Sequence, residues 1–170
     1  MFYYFTYSAA VSEVEIDVLT GEFSILRSDI IYDAGQSINP TLDVGQVQGG
    51  FIQGVGNVTT EQMYYDEDGK PYSDGTWNYK PPCSKTIPVE FNASLLEYVR
   101  TDQRTGTPMD RYGIMSSKST GEPPLVLANS VFFAIKHAVM AARQAAGWQE
   151  WFALESPATV ERIRQACWLR

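Results

Sequence analysis

The sequence predicts an α+β fold in which antiparallel strands pack with a glycine-rich helix, a long buried helix and a C-terminal helix. Three observations support this fold class: apolar residues alternate near the start, five glycines fall within residues 45–56, and apolar residues recur at helical spacing over residues 131–146. The composition shows no internal repeat and no linker. We therefore expect residues 1–170 to form a single domain.

A β-hairpin is the first predicted element. Val14, Ile16 and Val18 alternate with acidic residues, which is typical of a strand with one buried face. The turn Thr20-Gly21-Glu22 leads into a β-rich run over residues 23–32. We expect one additional strand over residues 2–7 and another over residues 87–99, with an exposed hairpin or loop at 64–78 and a polar loop at 101–113.

The predicted helices follow from glycine, proline and apolar spacing. A short glycine-studded helix is expected over residues 45–63. The long helix follows Pro123-Pro124, which suit its first turn, and ends at Gly147. The last helix is predicted to begin with Ser156 as its N-cap and Pro157 at its first position.

Composition excludes several classes of function. A net charge of −7 and a pI near 4.7 argue against a nucleic-acid binder, which needs cations to neutralise phosphates. His137 is the only histidine, and Cys83 and Cys167 lie far apart in sequence, so no zinc cluster and no metal site built by this chain is expected. The two cysteines are read as reduced thiols of a cytoplasmic protein. The longest apolar stretch, residues 125–146, holds several polar residues and is interpreted as a buried helix rather than a membrane span. No membrane is expected as a partner.

The first candidate site is the segment Ser117-Lys118-Ser119-Thr120-Gly121-Glu122-Pro123-Pro124. It places the Glu122 carboxylate at the predicted start of the long helix, after a loop of small residues. One interpretation is favourable interaction of Glu122 with the helix dipole, worth roughly 0.3–1 kcal/mol. The other is a functional carboxylate.

The second candidate is the glycine-rich segment that contains Gln46, Gln48 and Gln53. It lacks the lysine of a triphosphate-binding loop and the spacing of a dinucleotide-binding loop, so a nucleotide site is not expected. The amides could bind a polar heterocycle. Alternatively, the glycines serve close helix packing.

Taken together, these segments resemble the C-terminal molybdopterin-binding domain of the xanthine dehydrogenase and aldehyde oxidase family. The resemblance extends over essentially the whole chain. The matching blocks, in order, are Ser12-Glu13-Val14-Glu15-Ile16-Asp17, Asp33-x-Gly35-x-x-x-Asn39-Pro40, Gly45-Gln46-x-x-Gly49-x-Phe51-x-Gln53-Gly54-x-Gly56, Tyr79-Lys80-x-Pro82, Ser117-Lys118-x-x-Gly121-Glu122-Pro123-Pro124-Leu125, Phe132-Phe133-Ala134-Ile135-Lys136 and Ser156-Pro157-Ala158-Thr159.

The resemblance implies a role for four residues. Glu122 matches the family's general base beside molybdenum. The resemblance therefore favours the functional carboxylate over the interaction with the helix dipole. Gln46 matches an amide that contacts the cofactor, and the backbone of Thr120 and Gly121 would lie against it. The cofactor is molybdenum–molybdopterin, whose dithiolene supplies the sulfur ligands, so the protein provides orientation and proton transfer.

The resemblance also implies what lies outside these residues. The family's enzymes hydroxylate N-heterocycles or aldehydes with oxygen derived from water, and purine and aldehyde substrates both stay open here. The rest of the molybdenum site, the 2Fe–2S clusters and FAD are expected in the remainder of a larger polypeptide or in a partner subunit, within a homodimeric enzyme. The isolated chain is expected to hold no cofactor stably and to be inactive. A non-catalytic fragment or assembly domain that retains the fold is the alternative.

Overall fold

A computed structural model describes residues 4–97 and 114–168, and it has the predicted α+β architecture. A three-stranded sheet in the order β1-β2-β3 carries the helices on one face. The strands are β1 (Ser8–Ile16), β2 (Phe23–Tyr32) and β3 (Glu90–Leu95), and the helices are α1 (Pro40–Thr59), α2 (Asn129–Ala145) and α3 (Val160–Trp168). Two 3₁₀ segments, Ser84–Thr86 and Pro123–Ala128, complete the described elements.

The predicted hairpin is confirmed, but the strand expected over residues 2–7 is not. β1 and β2 pair antiparallel from Ser8 opposite Tyr32 to Ile16 opposite Phe23, with a register shift at Glu13 and Val14. The described residues 4–7 have no strand structure.

The third strand is parallel to β2, which corrects the expectation of an all-antiparallel sheet. The chain passes through α1 and a long loop between β2 and β3, and such a crossover returns a strand in the parallel direction. β3 is also shorter than the predicted residues 87–99. The loop predicted at 101–113 lies outside the described residues.

Helix α1 begins at Pro40, earlier than the predicted residue 45. Its start signal, Asn39-Pro40, is also typical of a loop, which is how the sequence pattern was interpreted. The Asn39 side chain accepts a hydrogen bond from the Leu42 N–H at 3.3 Å, and Pro40 occupies the first helical position. The helix ends at Thr59 rather than at residue 63. One face, which includes Val47, Phe51 and Val55, is buried in the core.

The C-terminal helices also begin later than predicted. Pro123 and Pro124 open a 3₁₀ segment closed by a bond from Leu125 N–H to the Glu122 carbonyl (3.0 Å), and the α-helix starts only at Asn129. Helix α3 starts after Thr159, whose carbonyl accepts from Ile163 N–H at 2.9 Å, so Ser156 and Pro157 are not its cap and first position.

The core lies between the sheet and the helices. Its largest fully buried side chains include Tyr32, Phe51, Ile25, Ile30, Ile135 and Ile163. Residues Pro124–Ala145 are long and apolar enough to cross a membrane by length and composition alone. In this fold the same stretch is a 3₁₀ segment followed by α2, which packs Val131, Ile135 and Val139 in the core and leaves most of its other residues at least partly exposed.

Candidate functional site

The loop that carries Glu122 crosses the end of the sheet. Gly35, just after β2, forms a bridge with Ser117, and the Lys118 N–H donates to the Ala34 carbonyl at 2.9 Å. Gly35 has φ +61°, and a Cβ there would lie 2.3 Å from the Ser116 carbonyl oxygen. Only glycine fits this position without displacing the loop.

A nearly buried ion pair fixes the same loop through its side chains. Lys118 Nζ lies 2.7 Å from Asp33 Oδ2, with the two side chains 7% and 14% exposed. Lys118 Nζ also donates to the Phe5 carbonyl at 2.9 Å, and Asp33 Oδ1 accepts from the Gly35 N–H at 2.9 Å.

Two further contacts hold the next two residues of the loop. The Tyr32 hydroxyl donates to the Ser119 carbonyl, and burial raises the pKa of this phenol, which keeps it a donor. The Thr120 hydroxyl lies 3.3 Å from Asp43 Oδ1, while the Ser37 hydroxyl donates to Asp43 Oδ2 at 2.5 Å. The loop is therefore attached to both the sheet and α1.

Two glycines of α1 allow the helix to contact this loop directly. A Cβ at Gly50 would lie 2.4 Å from the Gly121 carbonyl oxygen, and a Cβ at Gly54 would lie 2.2 Å from that of Leu125. The packing interpretation of the glycine-rich segment therefore holds for these two positions. Gly45 and Gly49 differ, because a Cβ at either would meet no atom within 4 Å.

The structure brings Gln46, Thr120 and Gly121 together. Gln46 is exposed on α1. Its Oε1 lies close to Gly121, 3.3 Å from the point where a Cβ would lie if residue 121 had one. Thr120 is buried, and its hydroxyl lies within hydrogen-bond distance of Asp43.

Glu122 lies at the start of the 3₁₀ segment and not at the start of α2. Its side chain is exposed and makes no capping hydrogen bond. Six residues of 3₁₀ helix separate it from α2, so the dipole of the long helix does not explain this carboxylate.

The donor set suits an organic cofactor that brings its own metal ligands. Among residues 4–97 and 114–168, no group of three or more His, Cys, Asp or Glu could hold a metal ion. Amide groups, backbone and an open glycine surface can instead bind the polar edge of a flat heterocycle. The fold and this surface define one wall of a cofactor-binding domain.

Comparisons with known proteins agree with this class. The model of the molybdopterin cofactor-binding domain family matches residues 1–88. Probable aldehyde oxidase 3 of Oryza sativa subsp. japonica is 46% identical over 170 residues, and xanthine dehydrogenase/oxidase of Gallus gallus is 48% identical over 166 residues. The chain belongs to the molybdopterin cofactor-binding domain family, as found in xanthine dehydrogenases and aldehyde oxidases.

These relatives are much longer than the present chain. Both alignments cover 98% of this chain but only 12% of the relative. Among solved structures, quinoline 2-oxidoreductase from Pseudomonas putida 86 matches 92% of this chain and 18% of its own with a TM-score of 0.72 at 23% identity. The aldehyde oxidoreductase from Desulfovibrio desulfuricans matches 95% and 15% with a TM-score of 0.68 at 23% identity. These structural matches show the same fold.

Sequence reasoning missed the residues that support the loop. Asp43, Ser37 and the Asp33–Lys118 pair were not singled out, although Asp33 and Lys118 lie within the matching blocks. Asp33 and Lys118 are 85 positions apart, and no local sequence pattern indicates that two residues so distant form an ion pair.

Proposed function

We propose that this chain is the part of a molybdenum hydroxylase that holds molybdopterin and supplies the general base, in the oxidation of N-heterocycles or aldehydes with oxygen from water. The observation that carries the proposal is the placement of Glu122. Its carboxylate is exposed and bears no capping hydrogen bond, on a loop whose preceding residues lie beside Gln46 and are fixed at three successive positions.

Each residue of the site has a distinct task in this proposal. The Gln46 amide binds the polar edge of the cofactor, and the backbone of Thr120 and Gly121 lies against its face. The open surface at Gly45 and Gly49 leaves room for this approach. When bound, molybdopterin supplies the redox chemistry and the metal's sulfur ligands.

Glu122 performs the proton transfer. A carboxylate that acts as a base must reach the acidic proton directly or through one water molecule. The contacts at Lys118, Ser119 and Thr120 fix the backbone that leads to Glu122, while its own side chain stays available to accept that proton. Fixed geometry of this kind removes much of the entropic cost of reaction.

The partner in this proposal is the remainder of a larger polypeptide or an associated subunit. The described surface exposes large apolar side chains that a water-facing surface does not require. The most exposed are Trp77 (89%), Trp151 (82%) and Val89 (80%). We propose that the missing polypeptide covers part of this surface, closes the site above Glu122, and carries the 2Fe–2S clusters and FAD. We also propose a homodimeric enzyme, as the resemblance implies. A cytoplasmic location is proposed from the two cysteines, which are free thiols typical of a reducing compartment.

The test is Glu122→Gln in the complete enzyme that contains this chain. Turnover of purine and aldehyde substrates is expected to fall by at least a hundredfold, about the effect of losing a general base, while molybdenum content stays near that of the parent. Steady-state kinetics and metal analysis measure the two quantities. The matched control is Glu22→Gln, which removes an exposed carboxylate in the hairpin turn and should leave turnover unchanged.

Near-parental turnover in Glu122→Gln would remove Glu122 from the role of base. A molybdenum-loaded parent that oxidises neither substrate class would instead favour the non-catalytic alternative, an assembly domain that retains the fold.

A further inference from the structure

We propose that the Asp33–Lys118 ion pair is a positioning device for Glu122, so that Lys118 and Asp33 set the reaction rate without touching the reacting atoms. This inference rests on the proposed role of Glu122 as base. It assigns a task to two charged side chains that the proposed chemistry leaves unused.

The ion pair adds a side-chain link between two segments whose backbones meet at the isolated bridge Gly35–Ser117. Asp33 directly follows β2, and Lys118 begins the loop that leads to Glu122. The Asp33 carboxylate uses both oxygens: Oδ2 binds Lys118 Nζ at 2.7 Å and Oδ1 accepts from the Gly35 N–H at 2.9 Å. The carboxylate therefore links the end of the sheet to the loop.

The loop needs such an attachment because its backbone enters from an unfavourable conformation. Met115 and Ser116 have φ values of +54° and +63°, in the left-handed region that side chains other than glycine rarely adopt. Such a conformation persists only when surrounding contacts enforce it. Among the described ion pairs, the pair that Lys118 makes with Asp33 lies nearest in sequence to Met115 and Ser116. The Lys118 side chain is only 7% exposed.

The pair acts on Glu122 through a short run of fixed residues. Lys118 is held by Asp33, the next residue by the Tyr32 hydroxyl, and Thr120 by Asp43. Burial of the ion pair makes each charge depend on the other, because an unpaired charge in a buried site is strongly unfavourable. Loss of one partner should therefore displace the loop and move the Glu122 carboxylate away from its proton donor.

The experiment compares three variants of the complete, molybdenum-loaded enzyme: Lys118→Met, Asp33→Asn and the double variant. Methionine replaces the apolar stem of lysine with an unbranched chain of similar length and removes the charged terminal nitrogen. We expect each single variant to lower kcat, expressed per bound molybdenum, by about tenfold to a hundredfold, the effect of a misplacement of about 1 Å. KM should stay within about twofold, because the substrate surface is unchanged. A purely structural role would lower the yield of loaded enzyme and leave kcat per molybdenum unchanged.

The matched control is Arg27→Met. It breaks the ion pair between Arg27 and Asp29 within β2, of similar length (2.6 Å) but with side chains that are 50% and 34% exposed. This variant should keep the parental kcat. The double variant Asp33→Asn/Lys118→Met leaves no unpaired charge. It is expected to load molybdenum normally, and to keep a reduced kcat because the link is still absent.

Five outcomes decide the proposal. Reduced kcat per molybdenum in Lys118→Met and in the double variant supports it. Parental kcat per molybdenum in the double variant overturns it, and so does loss of molybdenum from all three variants, which would make the pair a requirement of folding only. If Glu122→Gln abolishes turnover while Lys118→Met does not lower it, this inference fails alone. If Glu122→Gln keeps its turnover, the proposed function fails first.

Discussion

Single residues decide how close the loop of the candidate site comes to helix α1. Gly54 shows this most clearly, because a Cβ there would lie 2.2 Å from the Leu125 carbonyl oxygen and 2.8 Å from Ala128 Cβ. Gly49 lies five residues earlier on the same helix but faces open space. The two glycines therefore differ in task although they belong to the same motif.

Gly54→Ala is expected to destabilise the protein, and Gly49→Ala to stabilise it slightly. The added methyl group at residue 54 forces backbone apart, at a cost of about 1–3 kcal/mol in the free energy of unfolding. At residue 49 alanine gains roughly 0.5–1 kcal/mol from helix propensity. Urea denaturation of the 170-residue chain measures both changes. Equal effects of the two substitutions would contradict this account of the contact.

The first two strands are joined by a short polar turn. Asp17 Oδ1 accepts from the Leu19 and Thr20 N–H groups at 2.8 and 3.3 Å, and Asp17 N–H donates to the Glu22 carbonyl at 2.8 Å. Gly21 has φ +82° and packs against the start of α3, since a Cβ there would lie 2.1 Å from the Val160 carbonyl oxygen. This turn thus sets both the hairpin register and the place of the last helix.

The pH dependence of stability should report this turn. The Leu19 and Thr20 N–H groups lower the pKa of Asp17 below its ordinary value of 3.8. A lowered folded-state pKa contributes stability above the unfolded value, and that stability is lost as pH falls through the folded value. Asp17→Asn should therefore be less stable than the parent at neutral pH, and the difference should shrink below pH 3.8.

Urea midpoints measured for both proteins across the acidic range would check this expectation. A difference between Asp17→Asn and the parent that stays constant with pH would show that the charge of Asp17 does not stabilise the turn.

On the scale of the whole molecule, the chain forms a core but does not enclose its site. Helix α2 buries one face against the sheet and leaves Phe133 and Met140 exposed on another. Glu122 and Gln46 are exposed as well. A catalytic site must hold its groups firmly and exclude bulk water, and one wall alone does neither.

The isolated 170-residue chain is therefore expected to retain no molybdopterin after gel filtration and to show no turnover of purines or aldehydes. Its exposed apolar surface should also bind the dye ANS more strongly than an equal molar amount of the complete enzyme does. Molybdenum analysis, activity assays and dye fluorescence measure these properties. Hydroxylation of either substrate by the chain without added partners would refute the expectation.

Local patterns in the sequence predicted the elements that depend on local contacts. The alternation of Val14 and Ile16 predicted β1, the spacing of Val131, Ile135 and Val139 predicted α2, and both are confirmed. Boundaries were missed where a signal had two meanings. Asn39-Pro40 was read as a loop and is the start of α1, and Pro123-Pro124 was read as the first turn of an α-helix and forms a 3₁₀ segment.

By itself the sequence determined the fold class and the hairpin, because periodicity and turn signals are properties of neighbouring residues. The roles of Gln46, Thr120, Gly121 and Glu122 came from the resemblance to the family and stay predictions. Only the tertiary structure decided that β3 runs parallel to β2, that Gly50 and Gly54 pack on the loop while Gly45 and Gly49 stay open, and that Lys118 pairs with Asp33. These features join residues distant in the chain. Their energies depend on burial and on distances of a few ångströms, which no local pattern specifies.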